Sequence, residues 1–164
     1  SSLIFALGLQ ECLNIKIQYG LVKNPYIDRT FIMKEDKIIN KSIKRKLNAV
    51  KTIMNGKNIL IVDDSIVRGN TSSHIVNIVK NVGANKIYIA SGAPPILYPN
   101  KYGIFIESRN ELIAVDRSEK DIADVIGCNG VIYNDLEEII NSLKKYNPNI
   151  NGFEVSMFND KHLF

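Results

Sequence analysis

The sequence predicts an α/β fold, an open and mostly parallel sheet with helices on both faces, and three observations carry that prediction. Residues 58–62 (NILIV) form a short, β-branched, wholly apolar run of the kind that fills the middle of a parallel sheet. A polar loop over 63–70, helical periodicity over 71–82 and a second strand-like run at 86–90 (KIYIA) follow it, an order that gives a right-handed βαβ unit. The alternation then continues, with a helix over 118–127, a strand at 130–133 (GVIY) and a helix over 135–145 begun by an Asp135 cap. Ligands of such sheets bind at the carboxyl ends of the strands.

The remaining elements follow in chain order. Residues 3–13 (LIFALGLQECL) are nearly all apolar and read as a buried helix that needs a sheet to cover. Asn14 punctuates, and 15–22 alternates as a strand does. Over 23–40 the periodicity fails, with Pro25, Asp28 and a cluster of charges, so this stretch reads as a long mobile loop. Loops of that length inside compact domains are usually functional, often lids. A basic helical stretch is predicted from Lys41 to Met54, Asn55-Gly56 marks a turn, and Gly83 stops the helix over 71–82. No internal repeat or low-complexity tract interrupts the pattern.

Composition narrows the functional classes. At 164 residues, 45% hydrophobic and 23% charged, the chain has the make-up of one ordinary globular domain, not of a disordered segment. Cys12 and Cys128 lie far apart and form no C-x-x-C pair, which suggests neither a disulfide framework nor a zinc site and fits a reducing, cytoplasmic setting. No apolar run reaches the roughly 20 residues of a membrane span, and no signal-like segment follows Ser1. The net charge is +4, yet residues 34–57 hold eight basic and two acidic side chains, so the rest of the chain is net negative. That stretch either handles an anion or is a solvated face; it lacks the interleaved aromatics and reader motif of a nucleic-acid binder.

The chemistry concentrates in residues 59–73, ILIVDDSIVRGNTSS. Here a buried strand delivers Asp63 and Asp64 into a loop that closes at a helix N-terminus. Adjacent unpaired carboxylates are costly inside a sheet, so they belong at its open end, facing a polyol or a metal-bound ligand. The stretch from Ser65 to Ser72 supplies backbone N–H groups, the hydroxyls of Ser65, Thr71 and Ser72, and a flexible Gly69 at the positive end of the following helix, the parts of a phosphate-monoester cradle. Each part alone also suits a plain turn and helix cap.

The full pattern, four apolar residues, Asp-Asp, four residues, Gly, one residue and Thr, resembles the phosphoribosylpyrophosphate (PRPP) motif of type I phosphoribosyltransferases. Written as DDSIVRGNTS, it is similar to the variant carried by the glutamine PRPP amidotransferase family. Further segments match that family in order: GLVKNPYIDRTFI (20–32), KSIKRKLNAV (41–50), ASGAPP (90–95), YPNKYGI (98–104), ELIA (111–114) and FEVSMFN (153–159). The resemblance implies a type I phosphoribosyltransferase fold over 1–164, lacking its first strand, and an enzyme that transfers ammonia to C1 of PRPP to give 5-phosphoribosylamine and pyrophosphate, the first step of purine synthesis. It further implies that Asp63 and Asp64 meet the ribose hydroxyls and Mg2+, that Ser65, Ile66, Val67, Arg68, Gly69, Asn70, Thr71 and Ser72 wrap the 5-phosphate, and that Ser1 offers a hydroxyl to the same magnesium. Lys23, Tyr26 and Arg29 would lie in a catalytic loop that folds over PRPP and helps build an ammonia passage, with Lys46 in the basic segment behind it. Cations there suit a reaction in which pyrophosphate leaves an oxocarbenium-like ribose, and closure would exclude water.

The family's partners would include a glutaminase domain, which this chain is expected to lack, purine nucleotides as feedback ligands, and further copies of itself in a homo-oligomer, with neither nucleic acid nor membrane. His74 and His162 lie in no motif and read as packing or surface residues. The sequence departs from the family at Pro25 and Asp28, where an arginine and a glycine are usual, at Asn70 for a threonine and at Phe105 for an acid; no cysteine stands near 98–102 or 153–159, as in the branch without an iron–sulfur cluster. Two other readings remain at this stage: a salvage enzyme with a purine base as acceptor, and a non-catalytic nucleotide-binding module.

Overall fold

A computed structural model describes residues 2–23, 47–100 and 106–162. Its centre is a three-stranded parallel sheet of β3 (Asn58–Asp63), β4 (Lys86–Ser91) and β5 (Gly130–Tyr133), in that order. The register runs Ile61↔Ile89↔Val131 and Asp63↔Ser91↔Tyr133, so the three strands finish at one level. Strand alternation puts Ile61, Ile87, Ile89 and Val131 into one core. Two helices supply its other half, α3 (Asn70–Asn81) through Ile75, Val76 and Val79, and α4 (Glu119–Ile126) through Ile122, Ala123 and Ile126. A second cluster of Ile96, Leu112 and Val115 packs against Val67 and Met157.

The caps explain where the helices begin. Ser118 and Asp121 form a reciprocal capping box at α4, the serine hydroxyl accepting from the Asp121 N–H and the Asp121 carboxylate from the Ser118 N–H. Asp135 accepts from the Glu138 N–H at 2.9 Å and starts α5 (Leu136–Tyr146), as its sequence predicts.

Three expectations are corrected. The strand predicted over 15–22 shortens to β1 (Leu21–Lys23). Asn14 takes a left-handed conformation after helix α1 (Ser2–Leu13), and the Ile17 N–H donates back to Gln10 Oε1 at 2.9 Å, which holds the segment to the helix end instead of to a ladder. The helix predicted over 41–54 is a strand and a single helical turn within its described part: β2 (Leu47–Ala49) pairs antiparallel with β1, and α2 (Lys51–Met54) follows. Leu47 and Ala49 pack on the main core while Asn48 points out, a period of two that basic flanking residues disguise. Helix α1 forms as predicted but contains no buried residue, with Ile4 74% exposed. Its Phe5 ring nevertheless lies hard against Gly92, where a Cβ would collide with it, so α1 covers the sheet face opposite the main core.

Candidate functional site

The carboxyl ends of the three strands are stitched into one surface. Asp63 closes β3, and the next turn folds over it: Asp63 Oδ1 accepts the Asp64 N–H and Asp64 Oδ1 accepts the Ser65 N–H, each at 2.9 Å. The backbone carbonyls of the same two residues accept from the Gly92 and Ala93 N–H groups, which ties the end of β3 to the end of β4. Ser91 Oγ donates to the Ala93 carbonyl, and Asn134 Nδ2, just past β5, donates to the Gly92 carbonyl at 3.2 Å. Asp63 is half-buried and Asp64 exposed. Burial pushes the Asp63 carboxyl above its ordinary range, the Asp64 N–H draws it back, and the negative charge of Asp64 adds to the rise. At the same level the Tyr133 phenol is pushed up to about 12, by burial and then by the nearby Glu119 carboxylate. Its hydroxyl finds no hydrogen-bond partner among the described residues.

From Ser65 the chain makes a tight bend held from below. Ile66 is 2% exposed and anchors it in the core. The Val67 carbonyl accepts the Ile113 N–H at 2.9 Å, and the Arg68 guanidinium reaches Glu111 Oε2 at 2.6 Å. Gly69 then turns left-handed, at φ 79°, with the Ile113 side chain filling the space a Cβ would need. Helix α3 begins at the next residue, with no side-chain cap on its first N–H groups. Those groups, together with Thr71 and the buried Ser72, form the positive end of a 12-residue helix placed directly after the two carboxylates. Chemically, the surface offers two acids for hydroxyls or a cation and an amide-lined bend for an anion.

Among the residues singled out from sequence, Asp63, Asp64 and the stretch from Ser65 to Ser72 fall together at this edge. Lys23 ends β1, where its backbone pairs with Leu47. Ser1, Tyr26, Arg29 and Lys46, with the departures Pro25, Asp28 and Phe105, lie outside the described residues. His74 is buried on the core side of α3 and His162 is exposed. Sequence reasoning passed over Glu111, Ile113, Ser91 and Asn134 as site residues. For Glu111 a signal existed, since Ser108-Arg109-Asn110-Glu111 has the spacing of a capping box, which the structure forms.

Known proteins share this sequence and fold. The chain is 46% identical over 154 residues to the amidophosphoribosyltransferase of Escherichia coli K12, and 44% identical over 156 residues to that of Saccharomyces cerevisiae. This chain is homologous to one segment of the amidophosphoribosyltransferases. It spans about 30% of the length of these two amidophosphoribosyltransferases, while they match 94% and 93% of the chain. A solved glutamine PRPP amidotransferase from B. subtilis, complexed with ADP and GMP, superposes on 96% of the chain with a TM-score of 0.79 at 34% identity, covering 35% of that protein. A second structure, described as the allosteric regulatory enzyme of purine biosynthesis, gives the same TM-score at 33% identity, with 34% of its length covered. The fold is thus that of the type I phosphoribosyltransferases, as in PRPP amidotransferase. No protein-family model matches the chain.

Proposed function

We propose that this chain is the PRPP-binding, phosphoribosyl-transferring part of an amidophosphoribosyltransferase, in which ammonia attacks C1 of PRPP and pyrophosphate leaves with inversion. One observation carries the reading: Asp63 and Asp64 stand at the carboxyl end of β3, immediately before an amide-lined bend that closes on the uncapped N-terminus of α3. In this reading the two carboxylates accept hydrogen bonds from ribose hydroxyls, which fixes the ring. The bend from Ser65 to Gly69, with Asn70, Thr71 and Ser72, receives the 5-phosphate and sets the distance from that group to C1. Orientation of this kind converts an encounter of two reactants into a step within one complex. No nucleophilic side chain is required, because ammonia itself forms the new bond.

The residues present fit a magnesium ion. Among the described residues no group of three His, Cys, Asp or Glu side chains converges, and magnesium is usually held by one or two carboxylates with substrate oxygens and water completing the shell. Asp63 and Asp64 are such a pair, and the like charge of Asp64 beside the half-buried Asp63 carboxyl is consistent with a cation between them. When bound, magnesium supplies positive charge to the departing pyrophosphate. By the family pattern Ser1 shares in holding the ion, Lys23, Arg29 and Lys46 add further positive charge for the leaving group, and Tyr26 belongs to the same closing segment.

Residues 1–164 in this reading form one phosphoribosyltransferase unit that works with a glutaminase domain as its ammonia source. Purine nucleotides act as its feedback ligands, and the working form is a cytoplasmic homo-oligomer. The test is an assay of the full-length protein with PRPP, Mg2+ and ammonium, following pyrophosphate release and phosphoribosylamine together. Both products should appear in equal amounts. Turnover with a purine base but not with ammonium would move the chain to the salvage class, and PRPP binding without turnover would leave a binding module.

A further inference from the structure

The strut beneath the bend points to a residue that acts without touching the ligand. We propose that Glu111 is a positioning residue for the phosphate loop, holding the Arg68 guanidinium against the 109–111 turn and so fixing the backbone of residues 65–69 in its receiving bend; this rests on the reading of that loop given above. Two guanidinium nitrogens reach one oxygen, with Arg68 Nε and Nη2 each 2.6 Å from Glu111 Oε2. The other oxygen, Oε1, accepts the Ser108 N–H at 3.0 Å, so the carboxylate is itself held in place from its own turn. Arg68 and its hydrogen bond also pull the Glu111 carboxyl below the ordinary carboxylate range. Two residues on, Ile113 donates its N–H to the Val67 carbonyl and lays its side chain beneath Gly69. Consecutive loop residues are therefore gripped by Glu111 and Ile113, while Leu112, wholly buried, faces the second core cluster.

The platform is rigid for visible reasons. Arg109 Nε donates to the Leu97 carbonyl at 2.9 Å, and its guanidinium sits 4.9 Å from the centre of the Tyr98 ring. Leu112 and Ile113 are anchored in two different clusters. A loop clamped to such a platform keeps its backbone in place before any ligand arrives, which lowers the ordering cost of binding. The pairing also defines what Arg68 does. Its charge is matched by Glu111, so phosphate recognition falls to amides and hydroxyls, and Arg68 serves as the strut between loop and platform.

The experiment uses the full-length protein, Mg2+ and saturating ammonium, and compares the wild type with Glu111→Gln, Glu111→Asp, Arg68→Gln and the Glu111→Gln/Arg68→Gln double variant. Glutamine can keep the bond to the Ser108 N–H, while its amide nitrogen replaces the oxygen that accepts from Arg68, so the charge and the Arg68 contact are lost together. Glu111→Gln should raise the KM for PRPP roughly threefold to fivefold, on the scale of one solvent-accessible ion pair, with kcat changed by less than about twofold. Arg68→Gln should raise it at least as much, Glu111→Asp should recover part of the loss, and Glu111→Gln should add nothing on top of Arg68→Gln, because the contact that Glu111 makes is already gone there. An unchanged KM, additive losses, or tighter PRPP binding in Glu111→Gln, which would mean that Arg68 is released to the phosphate, each overturns the proposal. The underlying reading fails differently: a wild type that binds no PRPP by calorimetry, or an Asp63→Asn/Asp64→Asn variant that binds it as well as the wild type, removes the loop from the substrate altogether.

Discussion

Replacing Gly69 by alanine perturbs the bend at its tightest point, and its cost can be worked from two local facts. The residue sits at φ 79°, where an L side chain costs about 1–2 kcal/mol. The new Cβ would also meet the end of the Ile113 side chain, which is only 4% exposed and has little room to turn away. Overpacking of this sort costs about 1–3 kcal/mol, and the lower end applies because the colliding atom is the flexible tip of the isoleucine. The two effects together predict a loss of about 2–3 kcal/mol. For a domain of this size that is a fall in Tm of roughly 5–10 °C. Urea unfolding of the full-length protein, read at constant m-value, measures it directly. Displacing Ile113 also loosens its bond to Val67, so PRPP affinity should fall in the same variant. A loss below about 0.5 kcal/mol, the range of an ordinary surface substitution, would refute the picture of a left-handed Gly69 seated on Ile113.

Two further substitutions probe the strand ends. Asp63→Asn should stabilise the ligand-free protein at neutral pH while impairing PRPP binding. The sign follows from the raised carboxyl: its contribution to stability is full below the ordinary value of 3.8 and lost as pH rises through the folded value, so the variant's advantage in unfolding midpoint should shrink toward zero as pH falls below 3.8. An advantage that persists at low pH would contradict burial of the charge as its cause. Tyr133→Phe should raise stability by about 1 kcal/mol, because it removes a buried hydroxyl that has no partner among the described residues. A destabilised variant would mean that the hydroxyl is bonded in solution.

How much of this was legible in the sequence depended on how local the cause was. The strand at 58–63 and its two acids could be read directly, because an apolar run and the charges that must lie beyond it are adjacent in the chain. The starts of α4 and α5 were equally plain, since Ser118 and Asp135 cap within three residues of themselves. β2 was misread because its partner is β1, and residues 41–54 carry a basic, helix-like composition that conceals a three-residue alternation. The burial expected of α1 followed from its composition, yet burial depends on what packs against a helix, and its own sequence is silent on that. The Arg68–Glu111 contact joins residues 43 apart. The capping-box spacing at 108–111 was visible, but nothing local tells that the capping carboxylate has a second oxygen to give to a distant arginine.

The central claim is that the acids at the end of β3 and the bend after them hold PRPP. It is tested most directly by titrating PRPP and Mg2+ into the full-length wild type and into Asp63→Asn/Asp64→Asn in a calorimeter. The account predicts saturable 1:1 binding to the wild type and a loss of at least about tenfold in the variant, the effect of removing one charge-assisted hydrogen bond. Equal affinity in the two proteins would contradict it.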